Sequence, residues 1–412
     1  LKLKHGYQRT VLDNGVRIVT DHIPHVRSVS IGFWFDTGSR DEPPELAGIA
    51  HFLEHMNFKG TKLRSAARIA REIEGKGGNL NAFTSKEVTC YHAHVTDDHL
   101  VTAIDLLADI TGHSVFDQRE IDLERNVILE ELKSVEDTPD ELVFEYFVNQ
   151  VFDPHSLSRP ILGTRQTITA IQQENLKPYI DEYYGGSGLV VAAAGYLHHA
   201  RIVRLLSKKL STKSFEIQVR TPPQQNGSGF SRKDFHTVTQ QTHIALGCQG
   251  LAYSDSQKFA LLTLVTLLGG GMSSRLFQQI REKHGLAYTV YAFMESYHDT
   301  GLFGIYAGTS PEKADKTLKL IKKEMHTLTH NPVSARELNR TKDQLKGNIK
   351  LGLESPSNRM HRLAKMELFT HDWTSVDDII ARIDAVTAED IINVANRMFV
   401  DQDTCATFLM PS

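Results

Sequence analysis

The chain reads as an α+β protein made of two similar domains, each a mostly antiparallel sheet packed with helices. Three observations lead there. Short runs of alternating apolar and polar residues are interspersed with helical patterns of roughly 12 to 20 residues. Neighbouring strands are joined by tight turns, as at Asn14-Gly15 between Thr10–Leu12 and Val16–Val19, and strands joined that closely run antiparallel and need helices to cover an apolar face. The same order of elements also occurs on both sides of Pro222-Pro223-Gln224-Gln225-Asn226-Gly227-Ser228-Gly229, a stretch with the composition of a linker. The expected division is residues 1–218, a linker at 219–231, and residues 232–412.

In chain order, Ser28–Phe35 alternates as a strand into Asp36-Thr37-Gly38-Ser39. Pro43-Pro44 is expected to start a helix whose apolar face leads through Ile49 and Ala50 to His51, with Gly60 suited to a C-terminal cap. Gly75-Lys76-Gly77-Gly78 precedes a strand at Asn79–Thr84, followed by another at Val88–Val95. Thr96-Asp97-Asp98 then opens a helix, and Asp117–Glu131 has a polar start and helical periodicity. The second half repeats this plan: His243–Cys248 leads into Gln249-Gly250-Leu251-Ala252, Ser310-Pro311-Glu312 opens a helix after a strand, and Arg336-Glu337-Leu338 corresponds to Arg119-Glu120-Ile121. Setting Arg119 on Arg336 places Glu124 on Thr341 and Glu131 on Asn348.

With 412 residues and a formal net charge of −4, the chain has length for at least two cores and no charge argument for nucleic acid. Its longest apolar run, around Phe259–Gly271, is too short to span a bilayer. No basic-then-apolar segment precedes Gly6. Cys90, Cys248 and Cys405 are odd in number and lack C-x-x-C spacing, so reduced, buried thiols in a cytoplasmic protein are expected. Gly269-Gly270-Gly271 lacks the lysine and spacing of a phosphate-binding loop.

The chemistry concentrates in His51-Phe52-Leu53-Glu54-His55. Histidines at i and i+4 share a helical face and can converge on one metal ion. Glu54 projects near that face, where a carboxylate can hold and deprotonate water instead of ligating. A catalytic zinc takes three protein ligands and keeps one position open. Within Asp117–Glu131, Glu124 and Glu131 lie two turns apart on one face, so Glu131 is a candidate third ligand and Glu124 a candidate partner for the distal nitrogen of a ligating histidine. From the residues alone, Glu130 competes equally with Glu131, and a solvated acidic face is the structural alternative for each.

Beyond this motif the chain resembles the pitrilysin-type zinc peptidases, or inverted zincins, the group that contains insulin-degrading enzyme and the mitochondrial processing peptidase. It is most similar to their short bacterial processing-peptidase-like members. The matching segments are His51–Thr61 (HFLEHMNFKGT), Gly77–Thr84 (GGNLNAFT), Glu124–Glu131, Arg159–Thr164 (RPILGT) and Gly269–Tyr288 (GGGMSSRLFQQIREKHGLAY). The resemblance implies Zn²⁺ held by His51, His55 and Glu131, with Glu124 behind a ligand and Glu54 as general base. It also implies two α+β domains facing one another across a chamber.

The same resemblance makes Asn79–Thr84 an edge strand to which an extended peptide adds, with Asn81, Ala82 and Phe83 against the substrate. From the second half it brings Arg281 and Tyr288 to the substrate carbonyl and its oxyanion. Glu141 and Glu145 match a pair that binds a substrate arginine. The implied function is a zinc metalloendopeptidase acting on extended peptides or unfolded segments, as a homodimer or as a heterodimer with a metal-free homologue. The alternatives are a non-catalytic core or assembly subunit, a subunit active only with a different partner chain, or a metal-binding scaffold without turnover.

Overall fold

The computed structural model describes residues 6–210, 219–224, 229–400 and 402–412. Its strands are β1 (Gln8–Val11), β2 (Arg17–His22), β3 (Ser28–Phe35), β4 (Asn79–Thr84), β5 (Thr89–Thr96), β6 (Leu189–Gly195), β7 (Phe230–Thr237), β8 (Thr242–Gly250), β9 (Ala287–Ser296), β10 (Gly301–Thr309) and β11 (Thr404–Pro411). Its α-helices are α1 (Ile49–Met56), α2 (Ala66–Glu74), α3 (Leu100–Gly112), α4 (Gln118–Glu136), α5 (Pro139–Phe152), α6 (Arg165–Ala170), α7 (Gln173–Tyr183) and α8 (His199–Lys209), followed by α9 (Lys258–Gly269), α10 (Ala314–His330), α11 (Ala335–Gly352), α12 (Pro356–Phe369), α13 (Val376–Ala385) and α14 (Ala388–Phe399).

Two compact units form, each discontinuous in sequence. The described parts of Leu1–Leu132, Arg159–Val219 and Leu351–Ser375 make the first, and those of Lys133–Ser158, Arg220–Lys350 and Val376–Ser412 the second.

In the first unit six strands pair in the order β1-β2-β6-β3-β5-β4. All neighbours are antiparallel except β2 and β6. The β1–β2 hairpin closes through Asp13-Asn14-Gly15, with Leu12 N–H bonded to Val16 O at 2.9 Å and Gly15 at φ +87°, a conformation open to glycine and costly for branched residues. Because side chains alternate along a strand, the sheet has two apolar faces. Phe33, Tyr91 and Ala93 pack with Leu53 of α1 and Ile104 and Leu107 of α3. Trp34, Cys90, Val190 and Ala192 face the other way, onto Met360, Leu363 and Ala364 of α12.

The second unit pairs five strands in the order β7-β11-β8-β10-β9, antiparallel except for β7 and β11. Ile244, Leu246, Phe303 and Ile305 pack with Leu264 and Leu268 of α9 and Val394 of α14. Ala245, Tyr306 and Leu409 lie on the opposite face, against Val143, Phe147 and Phe152 of α5.

The expected linear division therefore differs from the observed units at two helices. A sheet that is apolar on both faces needs a helical layer on each, and here one layer comes from the opposite half of the chain. Helix α12, beyond residue 350, covers the first sheet, while α5, before residue 159, covers the second. Of the expected linker at 219–231, residues 225–228 lie outside the described residues.

The helix expected from Pro44 is also shorter. Pro44–Leu46 forms a single 3-10 turn, Gly48 adopts φ +95°, and α1 begins only at Ile49. The left-handed glycine breaks the run that the proline starts. At the other end α1 stops at Met56, so Gly60, at φ +137° and bridged to Ser65, is not its cap. Among the described residues no helix is long and apolar enough to cross a membrane.

Candidate metal centre

Helix α1 is held by Ile49, Phe52, Leu53 and Met56, all at most 1% exposed. That burial leaves His51, Glu54 and His55 on the remaining face, with His51 itself buried and the other two half-buried. Helix α4 inserts Ile121, Glu124 and Ile128 into the unit, and Glu131, seven residues beyond Glu124, continues the same face. The two helices bring three side chains together. His51 Nε2 lies 3.7 Å and His55 Nε2 3.8 Å from Glu131 Oε2, and the donor atoms all fall within 4.8 Å of one another. The neighbouring Glu130 is exposed.

These separations are too long for hydrogen bonds, so the three groups are not satisfied by one another. Tetrahedral zinc with bonds of ~2.0–2.1 Å sets its ligands about 3.3–3.4 Å apart, somewhat less than the 3.7 and 3.8 Å found from the imidazoles to Glu131. His55 Nδ1 pairs with Glu124 Oε1 at 2.8 Å, which leaves the Nε2 lone pair facing the cluster. Glu124 also receives Lys59 Nζ at 2.5 Å. His51 Nδ1 is buried with no hydrogen-bond partner. The donor set therefore fits a borderline-soft divalent cation such as Zn²⁺.

The electrostatics favour the neutral, ligand-competent form at His51, and at His55 they raise the affinity for a proton that a bound cation would have to displace. Burial, then the neighbouring His55, pushes His51 down to about 3, so its imidazole is neutral at ordinary pH. At His55 burial opposes the charged form, but the hydrogen bond and charge of Glu124 outweigh it and raise the pKa. Glu124 is itself held below its usual range: desolvation raises it, while His55 and Lys59 pull it lower. Glu54 is raised, mainly by burial, against the hydrogen bond from Thr84 and the nearby His55.

Strand β4 ends the first sheet, pairing on one side only, with β5. Alternation points Ala82 and Thr84 toward the α1 face, and Thr84 Oγ1 donates to Glu54 Oε2 at 2.6 Å. Asn81 is exposed, and its Oδ1 accepts the Ala82 N–H at 2.9 Å. Phe83 points the other way, edge-on to Trp34 with ring centroids 5.5 Å apart.

The remaining expected site residues belong to the second unit. Arg281 lies in a π-helical turn, Phe277–Lys283, and donates from Nη1 to Tyr288 O at 3.0 Å, with its guanidinium 4.4 Å from the Tyr288 ring. Tyr288 is 76% exposed. Glu141 is exposed in the first turn of α5, and Glu145, one turn on, is half-buried. All three cysteines are free and buried. Burial raises each thiol pKa, Cys405 to about 12, which argues against a thiolate nucleophile.

Two contacts escaped the sequence reading. Thr84 has a detectable signal, since strand alternation from Ala82 puts it on one face, but nothing local says that Glu54 lies there. Lys59, one turn beyond His55, pairs with Glu124 through a partner 65 residues away in sequence.

Two family models match the chain: insulinase, peptidase family M16, over residues 17–165, and the peptidase M16 inactive domain over residues 170–345. The chain is similar to the uncharacterized zinc protease YmxG of Bacillus subtilis, 39% identical over 98% of both chains. It is also 40% identical to the uncharacterized zinc protease SCO5738 of Streptomyces coelicolor, over 96% of this chain and 88% of that one. Among solved structures, a protease from Helicobacter pylori superposes with a TM-score of 0.92 at 25% identity, over 98% of this chain and 99% of that one. A chain of Complex III2 from Candida albicans shares the fold, with a TM-score of 0.86 at 20% identity over 98% and 95% of the two chains. On this sequence similarity and the matched domain models, the chain belongs to the insulinase family of peptidases, M16.

Proposed function

We propose that this chain is a zinc-dependent endopeptidase that hydrolyses peptide bonds in extended peptides or unfolded segments. The observation that carries the reading is the convergence of His51, His55 and Glu131 beside a carboxylate, Glu54, that does not share their cluster. His51 and His55 would hold Zn²⁺ through Nε2 and Glu131 through a carboxylate oxygen, with Glu124 fixing the His55 ring. Bound zinc supplies a Lewis acid that brings the pKa of water toward ~7 and polarises a carbonyl.

Glu54 takes the proton of the attacking water and returns it to the leaving amine nitrogen. Its raised pKa suits both transfers, and Thr84 orients the carboxylate. The peptide would add as a strand along the free edge of β4, with main-chain hydrogen bonds giving sequence-tolerant affinity. Substrate would then compete with the Asn81 side chain for the Ala82 N–H. Arg281 and Tyr288 supply donors to the carbonyl oxygen as charge develops on it. Glu141 and Glu145 favour a basic residue near the cleaved bond. The functional assembly is a homodimer, or a heterodimer with a metal-free homologue.

A non-catalytic role shares the fold but gives no reason for three donors and a separate base to be kept together. Metal analysis and a quenched-peptide assay on the wild-type chain and Glu54→Gln test the reading. Retained zinc with turnover reduced by about 10²–10⁴-fold is expected. Unchanged turnover in that variant would refute the role of Glu54.

A further inference from the structure

Helix α1 carries two of the three proposed ligands, yet it is only eight residues long and has no side-chain cap from its N-cap residue, Gly48. A helix start leaves its first N–H groups without intrahelical partners. Here Glu42 takes two of them: Gly48 N–H donates to its Oε2 and Ala50 N–H to its Oε1, each at 2.8 Å. Glu42 is 3% exposed. We propose that Glu42 is a positioning residue for the metal centre, fixing where α1 begins and so where His51 and His55 stand against Glu131. This rests on the reading of those three residues as ligands.

The surroundings make the carboxylate a fixed point. Its loop is tied to the segment after β4: Ser39 N–H donates to Ser85 O at 3.1 Å and Arg40 N–H to Lys86 O at 2.8 Å. A buried Arg40–Glu87 ion pair closes the same contact at 2.5 Å. A Cβ at Gly38 would sit 2.3 Å from Ser85 O, so only glycine permits this approach. Thus the bracket at 38–42 joins the start of the metal helix to the end of the strand whose Thr84 holds Glu54.

The 159–164 segment completes it and gives that motif a physical role. Lys86 Nζ donates to Arg159 O at 2.5 Å. Thr167 Oγ1 donates to Ala47 O at 2.6 Å. Gly163, at φ +72°, lies so close that a Cβ there would meet Ala47 O at 2.2 Å. Burial pushes Glu42 up to about 8, against the pull of the two amides and of Arg159 and Lys86, so the group sits in a poorly solvated pocket filled by protein.

The test is zinc affinity, measured by chelator competition on the full chain, for wild type, E42Q and a mild core variant of the same unit, I104V. Gln keeps the shape but turns an N–H donor toward one of the two amides. A loss of about 10–100-fold in zinc affinity is expected for E42Q, with kcat lowered more than KM, while I104V keeps wild-type affinity. A folded E42Q with wild-type affinity and kcat would overturn the proposal. Should E42Q fail to fold, E42D decides by the same readouts, and unfolding of both would assign Glu42 to the fold instead of the site. If wild type itself takes up no zinc, the reading of the site fails; if wild type and E42Q bind it equally, only the role of Glu42 fails.

Discussion

The two units build on similar element orders and fill them with different chemistry. In the first, the helix after β3 is α1, with His51, Glu54 and His55 along one face. In the second, the helix after β8 is α9, whose Ala260, Leu261, Leu264, Val265, Leu267 and Leu268 are all buried. The paired long helices differ in the same sense. Glu124 of α4 is buried between His55 and Lys59, whereas Thr341 of α11 is buried with its hydroxyl bonded to Glu337 O at 3.0 Å. Glu131 is half-buried beside two imidazoles, while Asn348 is exposed.

Leucines and a threonine satisfy this architecture at less desolvation cost than imidazoles and carboxylates do. The polar groups of the first unit are therefore best explained by chemistry, not by folding.

The sharpest way to break this comparison is to exchange matched positions. Glu131→Ala should abolish zinc binding and peptide cleavage, whereas Asn348→Ala should leave both intact and shift stability by no more than about 0.5 kcal/mol. Equal losses from the two would mean that the units do not differ in this way. Next in size is the exchanged helical layer. Phe147→Ala, which empties a fully buried ring from the α5 face of the second sheet, should cost about 3–5 kcal/mol in denaturant unfolding. A loss below about 1 kcal/mol would show that α5 is not part of that core.

The smallest effect is a pH dependence in the first unit. His361 of α12 packs edge-on to Trp34 with ring centroids 5.1 Å apart. Burial, then His92 and Lys365, lowers its pKa from 6.5 to about 4. Since the unfolded chain takes up this proton first, the contribution of neutral His361 is complete above pH 6.5 and is lost as pH falls toward about 4. His361→Leu should flatten the melting-temperature profile across that window, and an unchanged slope would contradict the assignment.

Much of this was legible in the sequence because it is local. The i, i+4 spacing of His51 and His55 and the helical face shared by Glu124 and Glu131 follow from periodicity, and the absence of counterparts in the second half follows from setting Arg119 on Arg336. The choice between Glu130 and Glu131 did not, since adjacent residues differ by only about 100° around a helix; the family resemblance pointed to Glu131, and burial of Ile121, Glu124 and Ile128 turns that residue, not Glu130, toward the two imidazoles. The break at Gly48 was hidden because a glycine in a helical run is read as a weak position, while its left-handed backbone lies against Ile168, Leu162 and Gly163, more than 110 residues away in sequence. Exchange of α5 and α12 was equally invisible: an amphipathic helix announces that one face is buried, not which sheet buries it.

The central claim is that His51, His55 and Glu131 together form one zinc site, and zinc stoichiometry of the purified chain after metal loading and dialysis tests it most directly. One zinc per chain is expected for wild type and Glu54→Gln, with none held by His51→Ala or His55→Ala. A wild-type chain that retains no zinc, or histidine variants that retain as much as wild type, would contradict it.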